Sequence, residues 1–341
     1  MQNLKSREIR LKSRPTGMPG PANFELAETD VPNPGDGEVL IRNSYMSVDP
    51  YMRGRMMDRK SYVPPFQIGE ALSGGAVGQV VASHSPYLKV GDFVQSMNGW
   101  REWFVAPAGS VMKIDASIAP VQAYLGALGM PGLTAYAGLL KIGELKEGER
   151  VFVSAASGAV GQIVCQIAKN KGCRVAGSAG SDDKCRFLTE ELGIDAAINY
   201  RTAGDLTPAI KDAMPDGIDV YFENVGGAHL QAALNNMRQF GRIAACGMID
   251  QYNATEPPPG PNNLILIVGL SLTMRGFIVS NYFNMMPEFI ADMAKWTKEG
   301  KMKWRESIVE GIDKAPDAFI GLFKGENFGK MLVKVGPDKA V

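Results

Sequence analysis

The sequence predicts an α/β fold in which a doubly wound parallel sheet, covered by helices, accompanies a smaller all-β unit. Three observations carry this. Residues 1 to about 125 break into short apolar runs separated by Gly, Pro, Asn and Asp, with few helical periods. From about 126 to 300, β-rich runs alternate with helical stretches, the pattern of a helix-covered parallel sheet. Between the first such strand and helix lies a glycine turn, Ala155-Ala156-Ser157-Gly158-Ala159-Val160-Gly161.

In the first region, Glu38–Ser47, Gly75–Ser83, Asp92–Met97 and Glu102–Ala106 read as strands of a small barrel or sandwich. In the second, strands are expected at Arg150–Ser154, Arg174–Gly177, Ala196–Asn199, Val220–Glu223, Arg242–Cys246 and Met274–Val279. Helices are expected between them near 160–171, 182–192, 228–239 and 286–299. The tail offers a strand near 304–310, a helix near 315–323 and a closing strand at Lys330–Val335, a pattern that crosses back to complete the first domain. The expected division is therefore 1–126, 127–302 and 303–341. Leu264–Leu272, the longest apolar stretch, is about half the length of a membrane span and reads as a buried strand.

A chain of 341 residues is long enough for two domains. Lys+Arg 36 balances Asp+Glu 36, which argues against nucleic acid or anionic lipid as a general partner. Cys165, Cys173, Cys185 and Cys246 show no CxxC spacing and read as reduced thiols of a cytoplasmic protein. Lys5, Arg7, Arg10, Lys12 and Arg14 have no apolar run behind them, so no secretory signal is expected. With only His84 and His229, and no close His/Cys cluster, no metal site is expected.

The glycine turn points to a dinucleotide. A pyrophosphate needs free N–H groups at a helix N-terminus and glycines that let the backbone approach. Gly158, Ala159, Val160 and Gly161 stand between a buried strand and a helix with Ile163, Val164, Ile167 and Ala168 inward. Ala156 occupies the place of the first glycine in the strict G-x-G-x-x-G pattern. About twenty residues on, Gly177-Ser-Ala-Gly-Ser181 lacks an acid for a ribose hydroxyl, whereas Lys184 and Arg186 can pair with a 2′-phosphate. NADPH is thus expected over NADH. Asp182 and Asp183 fit a first helical turn capped by Ser181, or alternatively a ribose contact.

These residues resemble the medium-chain dehydrogenase/reductase superfamily, which joins a GroES-like β-barrel to a Rossmann domain. More closely, the chain is similar to the zinc-free branch of prostaglandin reductases, plant alkenal double-bond reductases and bacterial curcumin reductases. The resemblance runs through Val48–Arg53, Gly129–Tyr136, the glycine turn, Ala179–Lys184, Glu223–Gly227, Met274–Phe277 and Gly325–Lys330. Zinc members carry a Cys early in the barrel and a Gly-His-Glu segment; here those places read Tyr45-Met-Ser47 and Gly69-Glu70.

The resemblance implies hydride transfer from NADPH to the β-carbon of an α,β-unsaturated ketone or aldehyde, in a small apolar enone substrate. It also implies cofactor contacts at Gly158, Val160, Lys184, Tyr200, Asn224, Cys246, Phe277 and Asn327. Tyr200 reads equally as a strand-end aromatic, and Asn327 as a turn residue. The same likeness implies a homodimer joined edge to edge through the parallel sheet, with Leu264–Leu272 as that edge or as an interior strand.

Enone reduction needs a donor on the developing enolate oxygen and a proton for the α-carbon. Tyr51, after the cis-capable Asp49-Pro50 bond, and Tyr252, at a strand's C-terminal end, are the expected catalytic donors. Tyr62 and Met130 are expected at the substrate pocket, where Met56, Met57, Phe66, Phe283, Met285 and Met286 either line an apolar wall or simply fill the core. The competing functions are an NADPH quinone reductase and a non-catalytic NADPH-binding redox sensor.

Overall fold

A computed structural model describes residues 4–341. The strands are β1 (Lys5–Leu11), β2 (Phe24–Asp30), β3 (Glu38–Ser47), β4 (Ala76–Ser83), β5 (Phe93–Ser96), β6 (Trp103–Pro107), β7 (Met112–Lys113), β8 (Arg150–Val153), β9 (Arg174–Ala179), β10 (Ala196–Asn199), β11 (Ile218–Glu223), β12 (Met237–Ala245), β13 (Thr273–Gly276), β14 (Glu306–Glu310) and β15 (Lys330–Lys334). The helices are α1 (Met52–Arg55), α2 (Met130–Ala137), α3 (Gly161–Asn170), α4 (Asp182–Arg186), α5 (Leu206–Ala213), α6 (Gly227–Leu234), α7 (Ile265–Gly269), α8 (Met286–Lys298) and α9 (Ala315–Lys324). They divide into two compact units, one running through Leu125 and resuming at Glu306–Val341, the other Gly126–Arg305.

In the first unit β3 is the spine. It pairs with β4, β6 and β15, which explains its almost continuous burial instead of the alternation of a strand wet on one face. The tail supplies β15, with Leu332 opposite Ser47, and β14 beside it. It also supplies α9, whose Phe319 meets Phe24 and Trp100 at ring separations of 6.2 Å in the core.

The second unit is a six-stranded parallel sheet in the order β10-β9-β8-β11-β12-β13. The first strand lies in the middle and the chain winds outward both ways, the doubly wound arrangement that binds ligands at the strands' carboxyl ends. Helix α3 is buried along nearly its whole length. On one face its apolar side chains meet the sheet. On the other, Gln162 and Gln166 act as a ladder, each accepting from and donating to the backbone of Arg305 and Lys303.

The structure corrects several sequence expectations. Leu264–Leu272 is not a strand: its centre is α7, with Ile265 73% and Val268 75% exposed while Leu266, Ile267 and Leu270 pack on the core. That spacing is a one-turn helical stripe, which an unbroken apolar run hides. The helix expected at 228–239 ends at Leu234, because Met237 already pairs with Ile218 as β12 begins. The helix expected at 182–192 is present, but it widens after α4 into a π turn from Phe187 to Glu191. Helix α5 was not anticipated, although Asp205 caps it by accepting from the Thr207 amide at 2.8 Å. Among the described residues every peptide bond is trans, Asp49-Pro50 included, and no helix is long and apolar enough to cross a membrane.

Candidate functional site

The second unit's site begins where buried β8 ends. Ala155 takes a left-handed conformation (φ 49) and turns the chain, and the Ala156 amide donates to the Ser178 carbonyl at 2.8 Å. Ala156 replaces the expected first glycine without strain because the neighbouring strand compensates: a side chain at Gly177 would lie 2.4 Å from the Ala156 methyl. A Cβ at Gly161 would stand 2.4 Å from the Ala155 carbonyl and 2.7 Å from the Ala156 Cα, so only glycine fits. Gly158 is looser, with its nearest neighbour at 3.1 Å. Beyond it, among the described residues, the N–H groups of Ala159, Val160 and Gly161 meet no acceptor within the protein. Three free donors at the head of a ten-residue helix form a cradle for an anion, and the residues fit a dinucleotide pyrophosphate.

At the end of β9, Ser181 caps α4 by accepting from the Lys184 amide, and Asp182 and Asp183 occupy the first turn. Both acids are engaged: Asp183 pairs with Arg186, and Asp182 accepts from Asn199 Nδ2 at 2.7 Å. Arg186 therefore already has a partner within its own helix. Lys184 is half-buried, and burial, followed by the nearby Arg201, holds its ammonium below its ordinary value. Arg201 is a cation that the sequence reading missed, since it follows β10 and reaches this place only through the fold. The Tyr200 hydroxyl would stand 2.9 Å from a side chain at Gly180, so the glycine leaves it room. Its ring packs edge-on against His229 at 5.2 Å. His229 is buried, and burial, opposed by Asp250, lowers its imidazole to about 4.

At the end of β11 a buried network fixes Asn224. Ser154 Oγ accepts from the Asn224 amide at 2.8 Å and donates to Glu223 Oε1 at 2.9 Å, while Asn224 Nδ2 donates to the Ser154 carbonyl at 2.7 Å. Burial raises the Glu223 carboxyl. It also pushes the Cys246 thiol up to about 12, with Glu223 adding to the shift, so Cys246 is a poor nucleophile. Tyr252 is half-buried; its hydroxyl accepts from the Met248 amide at 3.4 Å and would stand 3.0 Å from a side chain at Gly247. Phe277 is buried edge-on to Phe222 and Tyr282, and Gly138 is bare because both Phe277 and Phe222 crowd it. Met130 opens α2 and is half-buried.

In the first unit Tyr51 precedes α1 and packs half-buried against the core. Burial, then the Asp49 charge, hold its phenol above its ordinary value, with Arg55 opposing. The Arg55 guanidinium lies 4.0 Å over the Phe66 ring and donates to the Pro64 and Ser73 carbonyls. Tyr62 is 57% exposed. Met56 and Phe66 belong to the core, whereas Phe283 is 53% exposed. Asn327 donates to the Gly329 carbonyl at 2.8 Å, the turn role that was its alternative. Three residues on, Lys330 is buried and pairs with Asp49 at 3.2 Å, a contact no sequence motif announced. Among the described residues, no group of three or more His, Cys, Asp or Glu is placed to hold a metal ion.

Comparison with known proteins places this geometry. Residues 7–114 match the model described as the N-terminal domain of oxidoreductase, and 159–295 the one described as zinc-binding dehydrogenase. An NADPH-dependent curcumin reductase of Escherichia coli is 46% identical over 342 residues, 99% of each chain. A 2-alkenal reductase (NADP(+)-dependent) of Nicotiana tabacum is 43% identical over 343 residues, again 99% of each. The crystal structure of CurA in complex with NADPH from Vibrio vulnificus superposes with a TM-score of 0.93 at 44% identity, covering 97% of this chain and 99% of that one. With a doubly wound sheet, a β-rich partner unit and relatives this similar over their full length, the chain belongs to the medium-chain dehydrogenase/reductase family of oxidoreductases, in the branch that contains the curcumin and 2-alkenal reductases.

Proposed function

We propose that this protein is an NADPH-dependent reductase of the carbon–carbon double bond of α,β-unsaturated ketones and aldehydes. The observation that carries this reading is full-length likeness to a curcumin reductase and a 2-alkenal reductase, joined to a glycine cradle with three free N–H donors. Unit Gly126–Arg305 is assigned as the NADPH-binding domain, and the unit that ends at Glu306–Val341 as the catalytic one. NADPH, when bound, supplies the hydride that adds to the β-carbon. Ala159, Val160 and Gly161 hold its pyrophosphate, Lys184 with Arg201 its 2′-phosphate, and Tyr200 its adenosine end. Asn224, locked by Ser154, is assigned to the nicotinamide ribose, with Cys246, Phe277 and Asn327 as further contacts.

Tyr51 and Tyr252 are assigned as donors to the substrate oxygen. A phenol held above its ordinary value stays protonated, which suits Tyr51 to donating a hydrogen bond to a developing enolate. Tyr62 and Met130 are assigned to the substrate pocket. A cytoplasmic homodimer completes the reading: β13 is an edge strand, and Ile265 and Val268 of neighbouring α7 offer exposed apolar surface to a second copy.

The test is steady-state NADPH oxidation with a panel of enones against a panel of quinones, repeated with NADH. Enone turnover favouring NADPH is expected. Preference for quinones would move the assignment to a quinone reductase, and tight NADPH binding without turnover would make the protein a sensor.

A further inference from the structure

Lys330 sits where the β3–β15 ladder stops. The ladder's last pair is Leu332 with Ser47. Beyond it the chain leaves the sheet as Val48-Asp49-Pro50-Tyr51 with no strand beside it, and Lys330 takes over. Its Nζ donates to the Val48 carbonyl at 3.0 Å and to the Met331 carbonyl at 2.7 Å, and it pairs with Asp49 Oδ1 at 3.2 Å. Asp49 Oδ2 accepts from the Ser47 hydroxyl. All three ammonium donors are thus used and the lysine is only 2% exposed, so it cannot itself reach a substrate.

A buried ion pair is seldom worth more than a well-packed apolar replacement, so stability alone is a weak reason for this one. What it fixes is geometry. The Asp49 carbonyl accepts from the Met52 amide at 3.1 Å and the Pro50 carbonyl from Arg53 at 3.0 Å, so the place of Asp49 sets the turn that carries Tyr51. The same ammonium lies at the end of the Asn327–Gly329 turn.

We propose that the Lys330–Asp49 ion pair is a positioning device that holds the Tyr51 hydroxyl in its donating place. This rests on Tyr51 being the donor assigned above. Lys330 is a positioning residue, and its effect should pass through Tyr51.

The test compares Asp49→Asn, a near-isosteric change, with the paired Lys330→Met/Asp49→Asn change, which leaves no lone buried charge. In the protein without substrate, amide hydrogen exchange at Met52, Arg53 and Gly54 should quicken at least tenfold in the paired variant, and less in Asp49→Asn, while β3 stays protected. Unchanged exchange at those three amides in both variants would overturn the proposal, whatever the enzyme does. In the enone assay, kcat of the paired variant should fall at least tenfold with the Kd for NADPH within threefold of the parent. Placed in a Tyr51→Phe background, the same change should cost less than a further twofold. Additive losses would show that the pair acts elsewhere and would sink the inference. Full activity in Tyr51→Phe alone would instead remove the assignment of Tyr51, leaving hydrogen exchange to decide the clamp.

Discussion

The glycine turn of the second unit and the Tyr51 segment of the first are built on opposite plans. The turn is made almost wholly of backbone and of residues close in sequence: Ala155 reverses the chain, Gly161 lets it close, and three N–H groups are left at a helix head. The Tyr51 segment is held from afar, by a lysine 282 positions away from the carbonyl it binds. A site that the backbone makes tolerates side-chain drift but no added atom at its closest approach. A site made by a buried ion pair tolerates added atoms at its rim but not the loss of one charge.

The largest effect should therefore come from one methyl group. In Gly161→Ala the new Cβ meets backbone at 2.4 and 2.7 Å, where no flexible side chain can yield. We expect NADPH affinity to fall at least a hundredfold, with about 2 kcal/mol lost from folding, measured by fluorescence titration and thermal melting. Gly158→Ala, whose nearest contact is 3.1 Å, should lose much less. Equal tolerance at the two positions would break the contrast between a backbone-made and a side-chain-made site.

The second prediction sharpens the contrast within the second unit, where Tyr200 is backed by a histidine no local motif called for. His229 is lowered from 6.5 to about 4 by burial. A basic group depressed in the folded state binds its proton more readily when unfolded, so stability is complete above pH 6.5 and is lost as pH falls toward 4. At about 1.4 kcal/mol per pKa unit, this group should cost up to about 3 kcal/mol over that window. Urea unfolding at pH 7 and pH 4.5 should show His229→Gln losing correspondingly less than the parent. Parallel losses in both proteins would mean that His229 is protonated freely in the folded state.

What the sequence disclosed follows the same division. The parallel-sheet alternation, the glycine turn and the Ser181 cap were legible because each is fixed by neighbours within a few residues. Helix α7 was read as a strand because an unbroken Leu/Ile/Val run carries no period, and only its half-exposed packing reveals the helical stripe. In the sequence Gly177 is only the end of an expected strand and the start of a stretch lacking an acid. That it makes room for Ala156 depends on the pairing of β8 with β9. Arg201, the Tyr200–His229 contact and the Lys330–Asp49 pair lay outside any motif's reach, since each joins residues that only the tertiary fold brings together.

The smallest effect we predict concerns cofactor choice, where local and distant residues share one task. Arg186 looked as suitable as Lys184 for a 2′-phosphate, but it is paired with Asp183 on the helix surface. Lys184 is half-buried with Arg201 near enough to depress its ammonium, and a bound 2′-phosphate would offset that repulsion. Removing one of two such cations should not abolish selection for the phosphate, because the other remains. Lys184→Ala should therefore reduce kcat/KM with NADPH roughly tenfold, about 1.4 kcal/mol, and leave the value with NADH within twofold. Lys184→Ala/Arg201→Ala should bring the two cofactors close to parity. If the single variant keeps the full NADPH preference, Lys184 plays no part in the choice. If it loses all of it, Arg201 contributes nothing, and this corner of the site is as local as the glycine turn.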